Sequence, residues 1–121
     1  MVHILVVEDN EINSEMLSRR LRTKGFQVSC EFEARQAIEL AQSEKIDIIL
    51  MDLNLPDMDG WEASRVLKQT PVSKDIPIIA FTALALPGEK ERAIENGCDD
   101  FEPKPLNMER LLQKIHVLTQ S

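Results

Sequence analysis

The sequence predicts an α/β domain: a doubly wound, five-stranded parallel sheet in the order 2-1-3-4-5, with five helices. Three observations predict it. Short apolar runs without strict alternation recur along the chain, as in strands covered on both faces. Between them lie longer stretches whose apolar residues repeat with helical period. Strand and helix alternate five times, which calls for right-handed crossovers and helices on both faces of the sheet.

The first strand is expected over His3–Val7, "HILVV". Asn10 is a suitable cap for the helix that follows, with Glu11 and Glu15 in its early turns and Lys24-Gly25 closing it. Ile12, Met16, Leu17 and Leu21 are expected to share its buried face. The second strand is expected over Gln27–Glu31, and Ala34, Ala37, Ile38 and Ala41 mark the second helix. The third strand is expected over Asp47–Met51, and Trp61 opens the third helix, where packing is its expected role. The fourth strand is expected over Ile76–Thr82, and the fourth helix should enter at Pro87 and stop at Asn96-Gly97. A short fifth strand falls near Asp99–Phe101, with the two acids at the surface. The last helix shows the clearest stripe: Met108, Leu111, Leu112, Ile115 and Leu118. With 121 residues and no repeat, linker or low-complexity tract, positions 1–121 read as one domain.

Composition narrows the function. Apolar residues make up 43% and charged residues 29%, a globular balance, while aromatics reach only 4%, so aliphatic side chains must build the core. A formal net charge of -7 argues against nucleic acid or an anionic membrane as partner. Arg19, Arg20, Arg22 and Lys24 cluster only at the end of the first helix, where they complement its dipole. Cys30 and Cys98 have neither the number nor the spacing of a disulfide framework or zinc site, so two free thiols in a reducing cytosol are expected. No signal peptide or membrane span is legible, and the expected location is cytoplasmic.

The acids carry the chemistry. Glu8 and Asp9 follow the first strand and Asp52 follows the third, neighbouring strands at the switch point where such sheets bind ligands. Thr82 ends the fourth strand and Lys104 follows the fifth, so both face the same crevice. Three carboxylates within about 5 Å would repel by roughly 3 kcal/mol per pair at an effective dielectric near 20, or roughly 10 kcal/mol in all. That rivals the stability of a small domain. Lys104 offsets part of it, and a hard cation suits the remainder: Mg²⁺, with Mn²⁺ able to substitute. A carboxylate in such a site can act as a nucleophile toward phosphorus, the cation, Lys104 and Thr82 each neutralising a phosphoryl oxygen. An ionised Asp needs no general base, in keeping with His3 and His116 lying away from the crevice.

The segments "ILVVEDN", "DIILMDLNLPDMDGWE", "IPIIAFTA" and "FEPKPL", at their separations, resemble the receiver domains of two-component and phosphorelay signalling, a flavodoxin-like fold. The match covers essentially the whole chain. It implies that Asp52 is the phospho-acceptor and that Glu8, Asp9, Asp52 and the backbone carbonyl of Asn54 hold the metal. It further implies that Thr82 and Phe101 act as switch residues, that Lys104 assists, and that the Lys104–Pro105 bond is cis. "EDNEIN" is especially similar to receivers that work with hybrid kinases. The implied protein is a single-domain response regulator without an output domain, a switch rather than an enzyme. It takes its phosphoryl group from a histidine kinase or histidine phosphotransfer protein and signals to a target through helix 4, strand 5 and helix 5. It is expected to be a monomer or a weak phosphorylation-dependent dimer.

Two positions depart from the family. Phe32-Glu33-Ala34-Arg35 lacks the Asn-Gly or Asp-Gly common before the second helix, which reads as a loop variation far from the chemistry. Leu84, apolar where fast-dephosphorylating relatives carry a polar residue, implies slow loss of the phosphoryl group. Asp57, Asp59 and Gly60 lack the pattern of a calcium loop and read as a polar turn into the third helix. Two other functions compete. A phosphorylation-independent interaction module would usually have lost one of the five site residues. A hydrolase similar to the haloacid dehalogenases would need a second acid at position 54, where Asn stands.

Overall fold

The computed structural model describes residues 1–83 and 86–120. Five parallel strands, β1 (His3–Val7), β2 (Gln27–Glu31), β3 (Ile48–Asp52), β4 (Ile78–Thr82) and β5 (Asp100–Pro103), lie in the order β2-β1-β3-β4-β5. Between and after them run α1 (Glu11–Thr23), α2 (Ala34–Ser43), α3 (Gly60–Gln69), α4 (Glu89–Glu95) and α5 (Met108–Thr119). The doubly wound topology is the one the alternation predicts.

Period-two alternation assigns each strand residue to a helix layer. Ile4, Val6, Ile48, Leu50, Ile79 and Phe81 pack with Leu17 and Leu21 of α1 and Leu111 and Ile115 of α5. Leu5, Val7, Ile49, Met51, Ile78, Ala80 and Phe101 pack with the alanines of α2, with Ala63 and Leu67 of α3 and with Ala93 of α4. Ala34, Ala37 and Ala41 let α2 lie close against the sheet, and all three are buried.

Several boundaries move. The third strand starts one residue later and takes in Asp52, whose partner in β4 is Phe81. The fourth starts at Ile78, and the fifth runs on to Pro103. Pro87 stands outside α4 because Gly88, at φ 90°, separates it from the first helical turn. Asp99 is no idle surface acid: its Oδ2 accepts from Ile78 N–H at 2.8 Å and from Lys68 Nζ at 3.0 Å, bracing the start of β4.

One expectation about α1 fails. Ile12 and Met16 are 71% and 52% exposed, and the buried face is Ser14, Leu17, Ser18 and Leu21. At 3.6 residues per turn, Met16 points about 100° away from Leu17, so two apolar stripes shared one pattern and only one could meet the sheet. Cys30 and Cys98 are free, and burial pushes the Cys98 thiol up. Among the described residues no helix is long and apolar enough to cross a membrane.

Candidate functional site

The carboxyl ends of β1, β3 and β4 and the turn after β5 converge on one rim. Strand alternation turns Glu8 inward, leaving it 2% exposed, while Asp9 faces solvent. Asp52, at the end of β3, is also 2% exposed. Oxygens of Glu8, Asp9 and Asp52 all lie within 4.8 Å of one another, so the crowding expected of these three acids is real. Lys104 answers it. Its Nζ lies 3.1 Å from Asp52 Oδ2 and 3.3 Å from each Glu8 oxygen. Its backbone N–H donates to Thr82 O at 2.8 Å, and the Lys104–Pro105 peptide is cis.

The electrostatics follow from burial. Desolvation, reinforced by the hydrogen bond and charge of Asp52, raises the Glu8 carboxyl to about 7, against the pull of Lys104 and Asn13. Burial works against the Lys104 ammonium, but the charges and hydrogen bonds of Asp52 and Glu8 outweigh it and raise its pKa. An all-oxygen cluster in which burial and a neighbouring acid raise Glu8 to about 7 is short of positive charge, and a hard divalent ion fits that deficit.

The loop after Asp52 is closely tied. Asn54 N–H donates to Asp52 Oδ1 at 2.9 Å, and its side-chain amide donates to Thr82 Oγ1 at 3.1 Å. Leu53 N–H donates to Phe81 O at 3.0 Å, and Gly60 N–H returns to Leu53 O at 3.1 Å. A Cβ on Gly60 would sit 2.6 Å from Asp52 O, so no other residue fits there without moving the loop. Phe101 is 8% exposed and packs in the same apolar cluster as Ala93 of α4. Trp61 packs partly buried in that cluster too, with the Arg92 guanidinium 3.5 Å from its ring centroid. Leu84 lies outside the described residues.

Sequence reasoning missed three side chains. Asn13 Nδ2 donates to Glu8 Oε1 at 3.2 Å, a reach that its place in the first turn of α1 could have suggested. The side chain of Asn54 joins Thr82 across 28 residues, and no local pattern announces such a bond. Asp57 accepts from Ala34 N–H at 2.9 Å and Arg35 N–H at 3.0 Å, so the variant turn before α2 is joined to the loop that follows Asp52.

Three clustered carboxylates, two of them bridged by a lysine, at the switch point of a five-stranded doubly wound sheet, define a candidate divalent-ion and phosphoryl site. A family model described as the response regulator receiver domain matches residues 4–116, and the chain belongs to that family. It is 33% identical over 112 residues to the polar-differentiation response regulator DivK of Brucella anthropi, across 93% of this chain and 91% of that protein. A solved receiver domain of a sensor histidine kinase from Pseudomonas aeruginosa PAO1, with a magnesium ion coordinated in its active-site cleft, is also similar. It is 34% identical with a TM-score of 0.91, covering 99% of this chain and 98% of that one. The chemotaxis protein CheY4 of Vibrio cholerae matches at 29% identity and a TM-score of 0.90, over 98% of both chains. Receiver domains are signalling switches of two-component systems.

Proposed function

We propose that this receiver takes a phosphoryl group on Asp52 and reports it through the face made by α4, β5 and α5. The observation that carries the reading is the meeting of Glu8, Asp9 and Asp52 within 4.8 Å, with Lys104 bridging two of them. Glu8, Asp9, Asp52 and the Asn54 carbonyl are the residues that would hold Mg²⁺. When bound, the ion supplies positive charge for the phosphoryl oxygens.

The chain's own groups do the rest. An Asp52 carboxylate oxygen forms the new bond to phosphorus as the donor's bond to phosphorus breaks, the leaving group keeping that electron pair. Lys104, already 3.1 Å from Asp52, stabilises the oxygens of the transferring group. The donor is a histidine kinase or phosphotransfer protein, and the cleft lined by Met16, Leu17, Leu106 and Met108 beside Glu8 and Lys104 gives such a partner an apolar foothold.

Once phosphorylated, Asp52 offers new acceptor oxygens and negative charge. Thr82 exchanges its Asn54 contact for the phosphoryl group, and Phe101 fills the space it leaves. The phosphoryl group thus biases a two-state equilibrium that a target protein reads. Incubation with acetyl phosphate and Mg²⁺, followed by intact-protein mass spectrometry, tests the first step. A single phosphoryl adduct on the wild type and none on Asp52→Asn is expected; equal labelling of both would remove the proposal.

A further inference from the structure

We infer that Asp57 is a positioning residue of the acceptor site, fixing the loop that follows Asp52 and carries Asn54 by clamping it to the first turn of α2. The inference rests on the reading of Asp52 and Asn54 given above.

The first N–H groups of a helix have no partner within it. α1, α3 and α5 satisfy theirs locally, through the side chains of Asn10, Asp59 and Asn107. α2 does not: its N-cap residue, Glu33, makes no side-chain cap bond, and no acid occupies its first turn. Asp57 serves instead from across the molecule, one oxygen accepting from Ala34 N–H at 2.9 Å and the other from Arg35 N–H at 3.0 Å. An ionised carboxylate at the positive end of a helix makes both bonds charge-assisted.

The clamp matters because of where the other end leads. The loop is held at its start by Leu53 N–H to Phe81 O and closed at its end by Gly60 N–H to Leu53 O. Between those points lies Asn54, which donates to Asp52 Oδ1 and to Thr82 Oγ1 and whose carbonyl, in the reading above, would face the metal. Asp57, three residues on, anchors the middle of this span to a helix whose alanine face is buried against the sheet. One carboxylate therefore caps a helix and holds a metal-facing carbonyl in place. Groups that orient metal ligands from behind typically change affinity by about tenfold or more when removed.

A double variant separates positioning from capping. Glu33→Ser supplies α2 with a cap of its own. Binding of MgCl₂ is followed by ¹H–¹⁵N NMR, and α2 is followed by thermal melting and hydrogen exchange at Ala34 and Arg35. Asp57→Ala should lower the melting temperature and weaken Mg²⁺ binding about tenfold. Adding Glu33→Ser should restore melting and exchange protection while Mg²⁺ binding stays weak. The weakness should persist in about 0.5 M KCl, where screening over roughly 4 Å suppresses the mere loss of a nearby charge. Asp57→Asn, which keeps the shape and one accepting oxygen, should lose affinity in the same direction by less. Recovery of wild-type Mg²⁺ affinity in the double variant, or disappearance of the deficit in high salt, would overturn the inference. A wild type that binds no Mg²⁺ would instead sink the reading of the site, and the inference with it.

Discussion

Glu8→Gln offers the sharpest test of the site's electrostatics. In the metal-free protein the Glu8 carboxyl is raised from 4.5 to about 7 by burial and by Asp52. Below about 4.5 the group is protonated whether the chain is folded or not, and it costs nothing. Between about 4.5 and 7 the folded protein keeps a proton that the unfolded chain has lost, so stability falls as pH rises. Above about 7 the full deficit is present, because Glu8 must then be ionised in the folded state. The distance between those two values corresponds to about 3 kcal/mol. Gln cannot ionise, and the substitution leaves both partners of the Lys104–Asp52 pair, 3.1 Å apart, in place. Unfolding entropy scales with length, so for 121 residues about 3 kcal/mol amounts to roughly 10 °C in melting temperature. Thermal and urea melts in EDTA should therefore show the variant equal to wild type near pH 4.5 and well above it at pH 8. Magnesium at ten times its dissociation constant should return about 1.4 kcal/mol to the wild type and less to the variant. A Gln variant no more stable than wild type at pH 8 in EDTA would refute the argument.

Three further outcomes follow from the same geometry. Gly60→Ala must push its Cβ off the Asp52 carbonyl at 2.6 Å and the Leu53 Cα at 2.7 Å, so urea titration should show a loss of about 3 kcal/mol, with slower labelling by acetyl phosphate. Arg92→Ala removes the guanidinium 3.5 Å from the Trp61 ring centroid, at a cost of about 0.5–1 kcal/mol, and emission from the single tryptophan should shift to the red. Thr82→Ala and Phe101→Ala should still take up beryllofluoride with Mg²⁺ but lose the NMR shift changes in α4 and α5 that the wild type shows; unchanged shifts would disprove the proposed coupling.

The fold was largely legible because each strand is a dense apolar run and each crossover carries its own periodic stripe. Caps were legible where they are local, as at Asn10 and Lys24-Gly25. α1 shows the limit of the pattern, since Ile12 and Met16 have helical spacing with Leu17 yet face solvent. Asp57 shows another: a turn residue by composition, it takes its role from a helix terminus 22 and 23 residues earlier in the chain.

Local pattern was enough to place Glu8, Asp9, Asp52, Thr82 and Lys104 at strand ends, because strand period and turn chemistry are local properties. Tertiary structure alone decided what those side chains are to one another. It buried Glu8 and left Asp9 in solvent, set Lys104 between two carboxylates, and joined Asn54 to Thr82 and Asp57 to α2. Desolvation and hydrogen-bond partnership depend on neighbours brought from far along the chain, and no local pattern records them.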